Sequence, residues 1–186
     1  MIKNRCAWVT KDQIYIDYHD EEWGKPVYDD ATLFEFLVLE SFQAGLSWLT
    51  ILKKRENFRK AFDEFDVKKI AKYDDQKVEE LLANEGIIRH RGKINAAIHN
   101  ANLFIEIQKE YGSFSDYIWN YVNHQPIVNN FKTLKDIPAT TEISDKMAKD
   151  LKKKGFKFFG STTAYAFMQA TGMVDDHTLD CFCRKA

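Results

Sequence analysis

Helix-end punctuation recurs along almost the whole chain, and it constrains the fold more than any other feature. Asp29 or Asp30 is placed to cap a helix running to about Ala44, where Gly45 interrupts it and a second apolar stretch follows from Leu46 to Phe62. Asp66 caps a short segment, Asp74 or Asp75 caps Lys77 to Asn84 before Gly86, and a long helix from about Arg91 ends at Gly112. Ser113 caps Asp116 to Val122, Ser144 caps a helix ending at Gly155, and a last helix runs from about Ser161 to Gly172. Side-chain oxygens and glycines thus stand where orphaned helix-end groups need partners or a positive φ. No segment alternates apolar and polar residues between hairpin turns, so no strand is expected, and only Gln125 to Thr141 reads as a longer linker. The expected fold class is all-α.

With 45% hydrophobic and 30% charged residues, the 186-residue chain has enough apolar material for one packed domain over 1–186. Its net charge of −1 excludes a globally basic nucleic-acid binder, but not a basic face. Positive charge gathers at Lys53-Lys54-Arg55, at Arg89-His90-Arg91 with Lys93, and from Lys149 to Lys157; the alternative is ordinary solvated helix faces. Three cysteines are too few for a disulfide framework, and no apolar stretch approaches the roughly 20 residues that span a bilayer. Residues 1–8 lack the apolar core of a signal peptide. A cytoplasmic monomer without a membrane partner is expected.

Glu40 is the first residue that points to chemistry. Leu33, Leu37, Glu40 and Ala44 share one helical face, and Phe34, Phe36, Val38, Leu39 and Phe42 make the rest of that helix apolar as well. A carboxylate buried there costs several kcal/mol unless something pairs with it. It is either half of a structural ion pair or an acid lining a pocket. Gln43, Gly45, Leu46 and Trp48 follow closely, and Trp8, Tyr15, Tyr18 and Trp23 cluster upstream. Flat rings beside an acid suit a planar cation, although such a cluster can equally be plain core.

Cys6, His19, His177 and Cys181 form a second set. The i, i+4 pair His177 and Cys181 shares one face of a helical turn, while Cys6 and His19 lie at the other end of the chain. Together they make a Cys2His2 donor set suited to a closed zinc site that would tie the termini together; Cys183 rivals Cys181, and unrelated thiols and surface histidines are the alternative. A third pattern, Lys154-Gly155-Phe156-Lys157-Phe158-Phe159-Gly160-Ser161-Thr162-Thr163, lies between two expected helices. A tight corner of this kind can aim backbone N–H groups at a phosphate, and its lysines would add counterion-release affinity.

The chain resembles the DNA-3-methyladenine glycosylase I family of the helix-hairpin-helix glycosylases. The resemblance is carried by Cys6-Ala7-Trp8, Tyr18-His19-Asp20-Glu21-Glu22-Trp23-Gly24, Leu39-Glu40, Gln43-Ala44-Gly45-Leu46-Ser47-Trp48 and Leu52-Lys53-Lys54-Arg55. Gly86-Ile87-Ile88-Arg89-His90-Arg91-Gly92-Lys93-Ile94, Val122-Asn123-His124-Gln125-Pro126, Lys154-Gly155-Phe156-Lys157-Phe158 and Asp176-His177 extend it in order over essentially the whole chain. It implies two helical lobes around a base-binding cleft, with one structural zinc on Cys6, His19, His177 and Cys181. It implies Glu40 at the floor of the base pocket, Tyr18 and Trp48 against the purine, and Trp8 and Trp23 nearby.

The same resemblance makes Gly155 to Thr163 a DNA-gripping hairpin, with Lys154, Gly155, Lys157, Gly160, Ser161 and Thr162 as its DNA-binding residues, and Gly45-Leu46 a wedge filling the gap left by an extruded nucleotide. The implied substrate is double-stranded DNA containing 3-methyladenine, with the free base as product. Many superfamily members carry an Asp shortly after the hairpin helix that this family is regarded as lacking. Asp175 echoes that location and is a secondary candidate acid. Ser161-Thr162-Thr163 holds no lysine for a Schiff base, which implies a monofunctional enzyme. The competing reading is a zinc-stabilised DNA-binding module without catalysis, which would have no need of an acid pocket.

Overall fold

The computed structural model describes residues 3–185; the ends of the expected 1–186 domain, residues 1, 2 and 186, lie outside the described residues. Among the described residues nine α-helices follow one another: α1 (Gln13–Glu21), α2 (Asp30–Gln43), α3 (Trp48–Ala61), α4 (Val67–Ile70), α5 (Asp75–Ala83), α6 (Arg91–Tyr111), α7 (Phe114–Trp119), α8 (Glu142–Lys154) and α9 (Ser161–Ala170). The caps explain most of these starts. Asp29, Ser47, Asp74 and Ser113 each accept the backbone N–H three residues on, at 2.8, 3.2, 2.9 and 2.9 Å.

Three features depart from the reading above. Helix α8 begins earlier than Ser144: Thr141 is its cap, and the Ser144 hydroxyl returns to the Thr141 N–H at 2.8 Å, closing a reciprocal box. Helix α1 was not expected, because Asp12 makes no side-chain cap bond and QIYIDYHDE has no clear apolar stripe. Two short strands, β1 (Ile127–Val128) and β2 (Val174–Asp175), pair in parallel. Ile127 N–H donates to Met173 O at 2.9 Å and Asn129 N–H to Asp175 O at 3.0 Å, which ties the linker to the chain just before His177. Two residues are too few to show alternation.

Helix α2 is the hub. Its residues from Leu33 to Phe42, Glu35 excepted, are buried, and it packs against α3, α6, α7 and α9. Its C-terminus is held from outside: the buried Lys93 Nζ donates to Phe42 O and Ala44 O, both at 2.8 Å, satisfying carbonyls left over at the helix end. Behind α1 the chain passes very close to the segment that follows α9. Gly24 N–H donates to Gln169 O and Val27 N–H to Thr171 O, at 3.0 and 2.9 Å. A Cβ on Gly172 would stand 2.2 Å from Lys25 C, and φ there is +69°, so glycine is required on both counts. These contacts bring the segment after α1 against the end of α9.

Candidate functional site

Glu40 projects from the hub into a cavity of about 220 Å3 lined by Trp8, Tyr15, Tyr18, Trp23, Gln43, Trp48, Leu134, Ile137, Ala166 and Gln169. It is 3% exposed, and its Oε2 has no hydrogen-bond partner among the described residues. No cation among the described residues pairs with it, so the ion-pair alternative is not what the fold provides there. Arg55, the buried guanidinium nearby, bonds Glu35 at 2.6 Å and Glu22 at 2.8 Å, and Lys93 serves the α2 carbonyls. With burial unopposed by a cation, the Glu40 carboxyl is pushed up to about 8. The indole N–H groups of Trp8 and Trp48 are also buried without partners. An acid and two donors left unsatisfied around one cavity are groups that a polar ligand would complete.

The walls are aromatic. Tyr18 is 3% exposed, 5.6 Å from Trp48 centroid to centroid, and burial followed by the nearby Glu40 carboxylate keeps its hydroxyl protonated. Trp8 meets Tyr15 at 4.9 Å and Trp23 at 5.0 Å. Sequence reasoning passed over Leu134, Ile137, Ala166 and Gln169 as wall residues. The first two come from the linker, where no periodicity marks a buried face, and the other two from the inner side of α9.

The Cys/His cluster adjoins this wall. Trp8 lies edge-on to His19 at 5.2 Å, and Trp23 to His177 at 4.7 Å. Ligand atoms of His19, His177, Cys181 and Cys183 lie within 4.8 Å of one another, so Cys183 stands in the cluster where Cys6 was expected. Cys6 is buried at its edge: its backbone N–H is 3.5 Å from His19 Nε2, and its thiol accepts from Thr178 Oγ1 at 3.8 Å. Both rings are oriented alike. His19 Nδ1 meets Asp20 at 2.8 Å and His177 Nδ1 meets Asp175 at 2.7 Å. Since a carboxylate only accepts, each Nδ1 carries the proton and each Nε2 lone pair turns inward. His19 Nε2 is 3.4 Å from Cys181 Sγ, and His177 Nε2 is buried without a partner among the described residues. Carboxylate-backed histidines facing thiols make a group that could hold a metal ion, and a His/Cys donor set suits zinc.

This geometry gives Asp175 a task other than the acid role expected for it. Its Oδ1 takes both the ring and the backbone N–H of His177, and it is 2% exposed outside the cavity lining. Burial alone would raise its carboxyl, but the His177 bonds outweigh that and hold it low. Asp175 is therefore a support for His177.

The turn between α8 and α9 departs from expectation at two side chains. Gly155, at φ +102°, ends α8 as a left-handed cap, and Lys157 is exposed. Lys154, however, turns back to Glu110 at 3.2 Å and lies over the Tyr111 and Tyr117 rings. The Ser161 hydroxyl is engaged by Asp145 at 2.5 Å and by Ser144 at 2.9 Å. The corner is fixed to α6: Asn100 exchanges two 2.9 Å bonds with the Lys157 backbone. Gly160 has open space above it and Thr162 is exposed. Gly45, at φ +81°, and Leu46, 37% exposed, stand at the end of α2.

The family described as methyladenine glycosylase matches residues 8–184. The chain belongs to that family. Within it, a DNA-3-methyladenine glycosylase of Haemophilus influenzae is 53% identical over 182 residues, 98% of each chain. A crystal structure of 3-methyladenine DNA glycosylase I superposes with a TM-score of 0.96 at 51% identity, covering 98% of this chain and 100% of that one. A variant of 3-methyladenine DNA glycosylase I in complex with 3-methyladenine reaches 0.95 at 40% identity, with 98% of each chain covered. The helical fold of this chain is the one that those glycosylases share.

Proposed function

We propose that this chain is a monofunctional DNA glycosylase that hydrolyses the N-glycosidic bond of 3-methyladenine in alkylated duplex DNA. The observation that carries the reading is the unpaired, buried Glu40 at the floor of an aromatic cavity sized for one small planar base. Methylation at N3 makes the nucleotide's base cationic, so it leaves readily. Water attacks C1′ as the sugar gains oxocarbenium character, the C1′–N9 bond breaks with its electron pair passing to the base, and the water's proton goes to solvent. The protein's part is to extrude and hold the base. Tyr18 and Trp48, with Trp8 and Trp23, offer ring faces to the cation, and Glu40 accepts hydrogen bonds from it. Leu46 on the exposed Gly45 turn fills the vacated stack.

The metal centre is read as structural. His19, His177 and Cys181 would hold zinc, with Cys6 as the fourth ligand. The Cys6 backbone N–H, 3.5 Å from His19 Nε2, puts that residue on the inward side of the ring, and its thiol would have to turn in to bind; Cys183 lies 4.0 Å from His19 Nδ1, on the side that Asp20 already occupies. Zinc there supplies a closed tetrahedral tie between the two ends of the chain.

Incubating the protein with methylated duplex DNA should release free 3-methyladenine, measured by chromatography of the supernatant. Binding to the duplex without base release would instead establish a non-catalytic DNA-binding module. Because Lys154 is paired and Lys157 makes no side-chain ion pair among the described residues, Lys157→Gln should lower the slope of log affinity against log salt by about 0.9. Lys154→Gln should leave it near the parent value. Equal effects would show that Lys154 leaves Glu110 when DNA binds.

A further inference from the structure

Two glutamines line the cavity, and each is tied by its amide nitrogen. Gln43 Nε2 donates to the Leu46 carbonyl at 3.2 Å, and Gln169 Nε2 donates to Asp176 Oδ2 at 2.9 Å. Neither partner atom can donate, so in both side chains the nitrogen faces the partner and the oxygen is left over. The two ties differ in firmness. The Leu46 carbonyl belongs to an exposed turn, whereas Asp176 is fully buried and held from three sides. Its Oδ2 accepts from the Tyr165 hydroxyl at 2.5 Å as well as from Gln169, and its Oδ1 accepts from Asn129 Nδ2 at 2.7 Å. Every bond to Asp176 comes from a donor, and turning the Gln169 amide over would set oxygen against oxygen.

The Gln169 main chain is equally committed, since its carbonyl takes the Gly24 N–H at 3.0 Å. Its Oε1 is thus the polar atom that this residue offers to a ligand in the cavity. We propose that Gln169 is a specificity-determining residue and Asp176 its positioning residue: together they present a fixed acceptor to the exocyclic amine of the bound purine. The pocket thereby selects a 6-amino base over the 6-oxo counterpart, whose oxygen would meet Oε1 lone pair to lone pair. This rests on the reading of the cavity as the base site. A hydrogen bond gained in one case, and two unsatisfied acceptors in the other, correspond to about 10- to 100-fold in affinity.

The test titrates the metal-replete protein with free 3-methyladenine and with 3-methylhypoxanthine, following fluorescence of the cavity tryptophans. The wild type should favour 3-methyladenine at least about tenfold. Gln169→Met keeps the bulk without the acceptor and should lower the ratio toward the preference that Glu40 alone imposes on the amine. Asp176→Asn, which can face Gln169 with either an oxygen or an NH2, should also lower it. A ratio between two ligands does not depend on how much of the sample is folded, and Gln169→Ala serves if methionine disturbs α9. Binding of neither base by the wild type would overturn the base-pocket reading itself. Equal binding of both by the wild type, or an unchanged ratio in the Gln169 variants, would overturn the selectivity inference and leave the pocket standing. An unchanged ratio in Asp176→Asn alone would remove the positioning role.

Discussion

Glu40→Gln is expected to weaken base binding and to raise stability above pH 8 at the same time. The sign follows from burial. The Glu40 carboxyl is pushed up to about 8 in the fold, against an ordinary value of 4.5, so the folded protein holds a proton that the unfolded chain releases. The stability this contributes is fully present below about pH 4.5 and is lost as pH rises through about 8. The upper bound on that loss is about 5 kcal/mol, from roughly 1.36 kcal/mol per pH unit. Glutamine has no proton to lose, so the variant should gain on the wild type over this window and then stay level. Urea unfolding of both proteins at pH 6 and pH 9 measures the difference.

Activity should move the other way. Below about pH 8 the empty pocket holds Glu40 as the neutral acid, and its charge appears only when a cationic base arrives and the proton leaves. Excision efficiency, kcat/KM, should therefore rise with pH along a limb centred near 8, and that limb should vanish in the variant. Loss of a charge-assisted hydrogen bond costs about 1.5–3 kcal/mol of base affinity. A variant less stable than wild type at every pH, with base binding per folded molecule unchanged, would make Glu40 a structural group.

Much of this site is legible because its parts sit in regular elements with strong local signals. Caps at Asp29, Ser47, Asp74 and Ser113 are set by side chains within three residues of the groups they satisfy, so they can be read along the chain. Glu40 stands out because an acid inside an apolar helix violates the pattern around it. The resemblance supplied the rest of the expected pocket, Tyr18 and Trp48 included. What stayed hidden depends on contacts distant in sequence. Gln169 and Asp176 acquire meaning only when the end of α9 folds beside the segment that follows α1, and Leu134 and Ile137 sit in a segment without periodicity. Lys154 looked like a phosphate contact until Glu110, 44 residues away, claimed it. Asp175 shows the same limit: its position after the hairpin suggested an acid, and only the fold sets it behind His177.

Metal removal should produce the other large effect, and its consequence should reach the base pocket. Metal that binds only the folded chain stabilises it by linkage, about 4 kcal/mol when free metal stands a thousandfold above its Kd. In a chain of this length that corresponds to a fall in Tm of roughly 8–16 °C on chelation. Trp8 and Trp23 lean on the two cluster histidines at 5.2 and 4.7 Å, so loosening the rings loosens one wall of the cavity. Affinity for free 3-methyladenine should fall with the metal and return when zinc is restored. Cys181→Ser and Cys6→Ser should each lose the metal by elemental analysis, while Cys183→Ser should retain it. If Cys183→Ser lost the metal and Cys6→Ser kept it, the ion would sit on the Asp20 side of His19, and Asp20 would have to leave His19 Nδ1 to admit it. Absence of metal from all preparations grown with zinc would make the cluster a hydrogen-bonded core.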